Sequence, residues 1–311
     1  MVVGIILLFI GTGIIPSIAH DVEKTSIPTS GGKWWYVGGS GPGNYTTITE
    51  VLNFTSDGDT IFVYHGTYYE NPAFSKLNLI GEDRNTTIID GGGKLYVILT
   101  EEANIHGFTI QNAIDGIMIN GNNLNLSNNI ITKCQIGIPL SLATSQFEIW
   151  NNVFLNNTVS GIYVESRVCS IHDNYFISNP IGIDGLGGGT VSIVHNQFEE
   201  NDIGIRALQF RATISRNNFI NNDKHVQISS GMTLLSLLFS LPYIFYLKPH
   251  WINNYWDDWN RASPRPIRES FDVGIYVLIG IHLVYIKLFS FPMFQFDWHP
   301  AQEPYDIPGM C

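Results

Sequence analysis

Tyr163, Asp184 and Arg206 each follow a Gly-Ile pair, and Glu165 stands two residues beyond Tyr163. A carboxylate can take a proton, a guanidinium can stabilise the negative charge that then develops, and a phenol ring can stack on a sugar ring. Asp184 or Glu165 is the candidate base, Arg206 the charge stabiliser and Tyr163 the stacking ring. The alternative for the same residues is an exposed Asp184–Arg206 ion pair, which contributes at most about 1 kcal/mol. His172 is a further candidate contact. A second group closes the chain: Trp256, Asp257, Asp258, Trp259, Asp297, Trp298, His299 and Glu303. Trp256, Trp259 and Trp298 could form a carbohydrate platform and the acids with His299 a metal site. The same side chains could instead cover the end of the fold, which is obligatory where binding is not.

These residues come together only if the chain repeats. The segments Ile105–Ile110, Leu126–Ile131, Ile149–Phe154, Ile171–Phe176, Ile193–Phe198 and Ile214–Phe219 align, with Phe108, Asn129, Asn152, Asn174, Asn196 and Asn217 in one column at steps of 21 to 23 residues. Gly116-Ile117, Gly137-Ile138, Gly161-Ile162, Gly182-Ile183 and Gly204-Ile205 form a second column, at steps of 21 to 24 residues. Two columns with one period identify a solenoid. Between them lie short alternating runs, the signature of strands, broken by Asn and Gly. The expected fold is all-β: a right-handed parallel β-helix of about 22 residues per coil, with coils about 4.8 Å apart and caps at both ends. Asn129, Asn152, Asn174, Asn196 and Asn217 form an amide ladder, with a bend at the Asn so that Ile171 and Phe176 both point inward. Asn157, Asn179, Asn201 and Asn222 mark another turn. The glycines permit close approach or positive φ.

Of the 311 residues, 44% are hydrophobic and 14% charged, with a formal net charge of −11. That composition excludes a disordered chain and argues against a nucleic-acid partner. An acidic surface also repels a polyanion such as pectate unless cations bridge the two. Val2–Ile15 is apolar and Ser17-Ile18-Ala19 fits a signal peptidase, so residues 1–19 are expected to be an export signal; an uncleaved anchor is the alternative. Residues 33–104 then form the N-terminal cap and first coils, 105–230 the repeats, and 231–311 a C-terminal cap with apolar segments. Leu234–Leu247 and Val273–Phe296 are those segments. The second is long enough for a membrane helix, but Pro292 and its β-branched residues favour strands. Membrane association through either apolar end stays open.

No metal site is expected. Cys134, Cys169 and Cys311 lack CxxC spacing, and Cys134 and Cys169 are expected to fill buried or turn positions. No cofactor is evident; Ca²⁺ would enter only for a lyase, and no dense acidic column supports it. His106 and His172 share a column but lie three coils apart, about 14 Å.

The chain resembles NosD-like, pectin-lyase-like β-helix proteins of the archaeal type. The resemblance rests on Tyr36–Tyr45, Asp57–Val63, Leu79–Asp83 and Thr86–Gly91 in the first coils, on the two columns, and on Asn253–Trp259 and Phe296–Tyr305 at the close. It implies the fold and an extracytoplasmic location. Activity it implies weakly, because one fold hosts many functions. The stretch Ile228–Trp251 departs from the pattern.

The first functional reading is therefore an exported or cell-surface protein that binds carbohydrate or has a structural or adhesive role. A polysaccharide lyase or glycoside hydrolase is the alternative; it calls for paired carboxylates in a groove, which only Glu165, Asp184 and Arg206 approach. A copper-linked accessory role rests on the resemblance alone, since no close set of His and Met ligands is visible.

Overall fold

The computed structural model describes residues 32–140, 146–165, 168–233, 250–261, 263–279 and 282–308. The expected export signal and Leu234–Leu247 lie outside them. The chain winds as a right-handed parallel β-helix with three sheets. One sheet carries Ala103–His106, Leu124–Ser127, Phe147–Trp150 and Val168–His172 in parallel register, and continues through the later halves of Ile181–Val194 and Ile203–Ser215. A second stacks Val153–Leu155, Tyr175–Ile177, Gln197–Glu199 and Asn218–Ile220. The third stacks Ser160–Val164 on the earlier halves of the same two long strands.

Between the first and second sheets every coil bends at one residue. Asn128, Asn151, Asp173, His195, Arg216 and Asn253 all have φ between +54° and +60°. The next residue is the buried ladder amide. Asn174 shows the pattern: its N–H donates to Asn196 Oδ1 (3.0 Å), and its Nδ2 donates to the same oxygen (3.0 Å) and to Ile149 and His172 carbonyls (2.8 Å each). Asn129, Asn152, Asn196 and Asn217 do likewise, starting from the Phe108 N–H. From one amide to the next, donation runs only toward the C-terminus. Beyond Asn217 the ladder takes in Asn254 and ends on Asp297, whose Oδ2 accepts from Asn254 N, Asn254 Nδ2 and Trp256 Nε1 at 3.0, 3.0 and 3.1 Å. A carboxylate accepts without donating, so it suits the last rung. The second Asn column forms its own ladder from Cys134 N–H through Asn157, Asn179 and Asn201 to Asn222.

Inside the coils, Phe154, Phe176, Phe198, Phe219 and Trp256 stack with centroids 4.3–5.0 Å apart and planes within 9°. This stack explains the glycine column. A Cβ on Gly182 would sit 2.6 Å from Gly204 O and 2.9 Å from the Phe198 ring. Close approach, not positive φ, is therefore what requires glycine there. Cys134 and Cys169 are buried, as expected.

Short helix Ile48–Val51 buries Ile48 and Val51 near the start. At the other end Arg265–Ile279 and His282–Asp297 pair antiparallel, and the first of them adds in parallel to Lys224–Thr233. The spanning-helix alternative for Val273–Phe296 is overturned: its described residues are strands, and no described helix is long and apolar enough to cross a membrane. Pro292 lies on the outer strand of the hairpin, where the missing N–H is tolerated. The hairpin base is the lid. Ile267, Gln295 and Asp297 are buried, and Gln295 accepts from Trp251 Nε1 at 2.9 Å. The tail then runs back along the outer face of the second sheet. There Asn218 pairs with both backbone groups of Tyr305 (2.8 Å each), and Ile307 packs on Val153 and Tyr175.

The ladder's direction gives an expected ranking. Asn174→Ala strands buried donors and acceptors and costs roughly 3 kcal/mol or more. Asn174→Asp costs more still, because its second oxygen would face only acceptors. Asp297→Asn, by contrast, is mild. Urea unfolding of the three variants checks the order.

Candidate functional site

The third sheet brings the predicted group together. Tyr163, Asp184 and Arg206 are register partners on successive strands. Arg206 Nε and Nη2 hold both oxygens of buried Asp184, at 2.7 and 2.5 Å. Tyr163 donates its hydroxyl to Glu165 at 2.5 Å, and that bond, with burial, pushes the phenol up to about 12. Asp184 can act as a base only after its bidentate pair opens. The arrangement is a braced ion pair beside a phenol–carboxylate pair.

The closing tryptophans divide. Trp256 is buried between the Phe219 ring and the Arg265 guanidinium, which sits 4.0 Å from its ring centroid, so it has no face for a ligand. Here the expectation of a binding role gives way to capping. Trp259 donates to Ser263 O and packs against the core. Trp298 is exposed beside Phe296. Asp297 ends the ladder, His299 N donates to it, and Glu303 is exposed.

His225, Asp257 and Asp258 place one ligand atom each within 4.8 Å of one another. Their hydrogen bonds give them another role. Asn222 Oδ1 accepts from Asn201, which fixes the amide so that Nδ2 faces Phe198 O and His225 Nδ1. His225 Nδ1 therefore accepts, and Nε2 carries the proton toward Asp257 at 2.8 Å. A neutral imidazole ligated through Nε2 would need its proton on Nδ1, against that donor. Asp258 is also held by Arg265. Burial pushes Asp258 up, but the His225 and Arg265 hydrogen bonds outweigh it and hold the carboxyl well below the usual range.

The first sheet carries a group that reading the sequence missed in part. Trp150 and His172 are register partners with parallel rings, 4° apart in plane and 6.3 Å between centroids. Trp150 Nε1 donates to Asn125 Oδ1 at 3.1 Å. His172 Nδ1 meets Asp173 at 2.7 Å and Nε2 meets Glu148 at 3.4 Å, while Asp173's other oxygen meets His195 Nδ1 at 2.5 Å. Burial lowers the His172 pKa, but Asp173 and Glu148 overcome it and raise it to about 9. Burial raises Asp173, and the two imidazoles bring it down to about 2. Only His172 was picked out from the sequence. Trp150 lies in the same column as His172, two residues before a ladder Asn, and could have been found from that column; Asp173 and His195 occupy the positive-φ site just before the ladder.

Residues 52–260 match the family described as "Periplasmic copper-binding protein (NosD)". The chain belongs to the NosD family. Membership supports an extracytoplasmic location. No curated protein sequence matches the chain. Among solved structures it is similar to a pectin methylesterase from carrot, at 14% identity and TM-score 0.45 over 68% of this chain and 75% of that one. It is also similar to an alginate lyase from Paenibacillus sp. str. FPU-7, at 16% identity and TM-score 0.44 over 59% of this chain and 90% of that one.

The ion network on the first sheet makes a pH prediction. A folded pKa of about 9 against 6.5 means that His172 contributes stability fully below pH 6.5 and loses it as pH rises through 9. Asp173 contributes above 3.8 and loses its share as pH falls through 2. Melting temperature should fall across the alkaline window in the natural protein and stay flatter in His172→Gln; parallel curves would refute the assignment.

Proposed function

We propose that this NosD-family chain is an extracytoplasmic glycan-binding protein whose ligand lies on the outer face of the first sheet. The observation that carries this reading is the Trp150–His172 pair: two parallel rings on adjacent coils, held by Asn125, Glu148 and Asp173. Half-buried aromatic rings flanked by fixed polar groups suit a sugar ring, which has apolar faces and a hydroxyl rim. The neighbouring column runs Asn104, Asn125, Glu148, Ser170 and Ser192, which offers amide, carboxylate and hydroxyl partners to sugar hydroxyls. Binding without turnover is the simplest form of the reading. Asp184 is committed to Arg206, and Asp173 to two imidazoles, so neither stands ready as a free base.

The family's description names copper, and the described residues do not fit a copper site. A soft site would use Met, Cys or His in close array. Cys134 and Cys169 lie on different sheets. Burial pushes Cys134 up to about 11 and Cys169 higher still, which disfavours the thiolate form. The His225 group offers one imidazole and two carboxylates, already engaged with Asn222 and Arg265.

A polysaccharide array, scored for both binding and release of reducing or unsaturated ends, tests the proposal. Binding without release is expected, and Trp150→Ala should weaken it about tenfold or more, roughly 1.4 kcal/mol, at unchanged melting temperature. Binding that ignores Trp150→Ala would place the ligand elsewhere.

A further inference from the structure

We infer that the first-sheet face takes an uncharged, hydroxyl-rich polysaccharide and rejects polyuronates. This rests on the glycan reading above and adds the ligand's charge class.

The register supplies the argument. One outward column of this sheet runs Asn104, Asn125, Glu148, Ser170, Ser192. A second runs His106, Ser127, Trp150, His172, Val194. Over these coils neither of these two columns holds Lys or Arg; a third column of the sheet, Val168, Thr190 and Arg211, places an Arg at its far end, three coils beyond Trp150. A polyuronate carries a carboxylate on each sugar, and its recognition calls for Arg or Lys forks or a bridging cation. Arg84 is buried and donates to the Asn151 carbonyl at the bend. Arg216, exposed at the same bend, lies two coils from Asp173, about 10 Å away.

Beside Trp150 the described cation is His172, and it is already used. His172 presents one ring nitrogen to Asp173 and the other to Glu148, so no N–H is left for a ligand carboxylate. Glu148 is itself the more exposed partner, at 55%, in the column beside Trp150 and one coil below His172. A uronate ring stacked on Trp150 would bring its carboxylate toward Glu148 and Asp173. Like charges at that range cost affinity, and the chain's net charge of −11 adds long-range repulsion. A neutral glycan meets none of this. Its hydroxyls can donate to the carboxylates and exchange both roles with the Asn and Ser rows.

The test is binding of the full chain to neutral glucan, mannan and xylan and to pectate and alginate, in chelator, at low and high salt. The expected result is at least a tenfold preference for one or more neutral polymers, with little salt dependence. Glu148→Lys should shrink that preference by gaining salt-sensitive pectate or alginate binding, while Glu148→Gln, the milder change, should narrow it less; melting curves confirm that both variants fold. Equal or tighter polyuronate binding by the natural protein, abolished by Trp150→Ala, would overturn the charge inference and leave the glycan reading standing. Failure to bind any polymer would overturn both.

Discussion

Everything in this molecule hangs on a buried amide that can do two jobs at once. Each ladder Asn accepts with Oδ1 from the coil before it and donates with its N–H and Nδ2 to the coil after it. Backbone carbonyls left inside the bend are satisfied by the same Nδ2. A buried polar group without partners costs more than a typical hydrogen bond returns, so register is fixed coil by coil. The Phe stack beside it adds packing that only a glycine column can accommodate. Because donation runs one way, the ladder must end on an acceptor, and Asp297 supplies it.

The same bend builds the candidate site. To turn the ladder amide inward, the preceding residue adopts positive φ, and the conformation throws its side chain outward at the sheet edge. Asn accepts that backbone readily, which accounts for the Asn-Asn pairs. In three successive coils the position holds Asp173, His195 and Arg216 instead, and the first two join His172 and Glu148 into one row of linked side chains next to Trp150. Residues with less comfortable backbones stand where the surface chemistry is, while the structural rungs behind them keep the favoured residue.

Much of this was legible in the sequence. The Asn and Gly-Ile columns give the solenoid, the inward Ile and Phe, and the pairing of Tyr163, Asp184 and Arg206. What could not be read was anything the period does not reach. Asn217 to Asn254 is a step of 37 residues and Asn254 to Asp297 one of 43, because the inserted stretch and the hairpin interrupt the winding. Trp256 was therefore legible as a platform or a cap but not as the last ring of the Phe stack, and Asp297 as a metal ligand or a capping residue but not as the last rung. His195 and Asp173 were hidden for another reason: a positive-φ site has no side-chain signature once residues other than Asn and Gly occupy it.

Amide hydrogen exchange, resolved coil by coil in the natural chain and in Asp297→Ala, tests the ladder most directly. The ladder predicts that the N–H groups of Asn254 and Asn217 lose protection first and that the loss fades toward Asn129, as a one-dimensional array frays from an opened end. Loss confined to the tail, with Asn254 and Asn217 as protected as before, would contradict it.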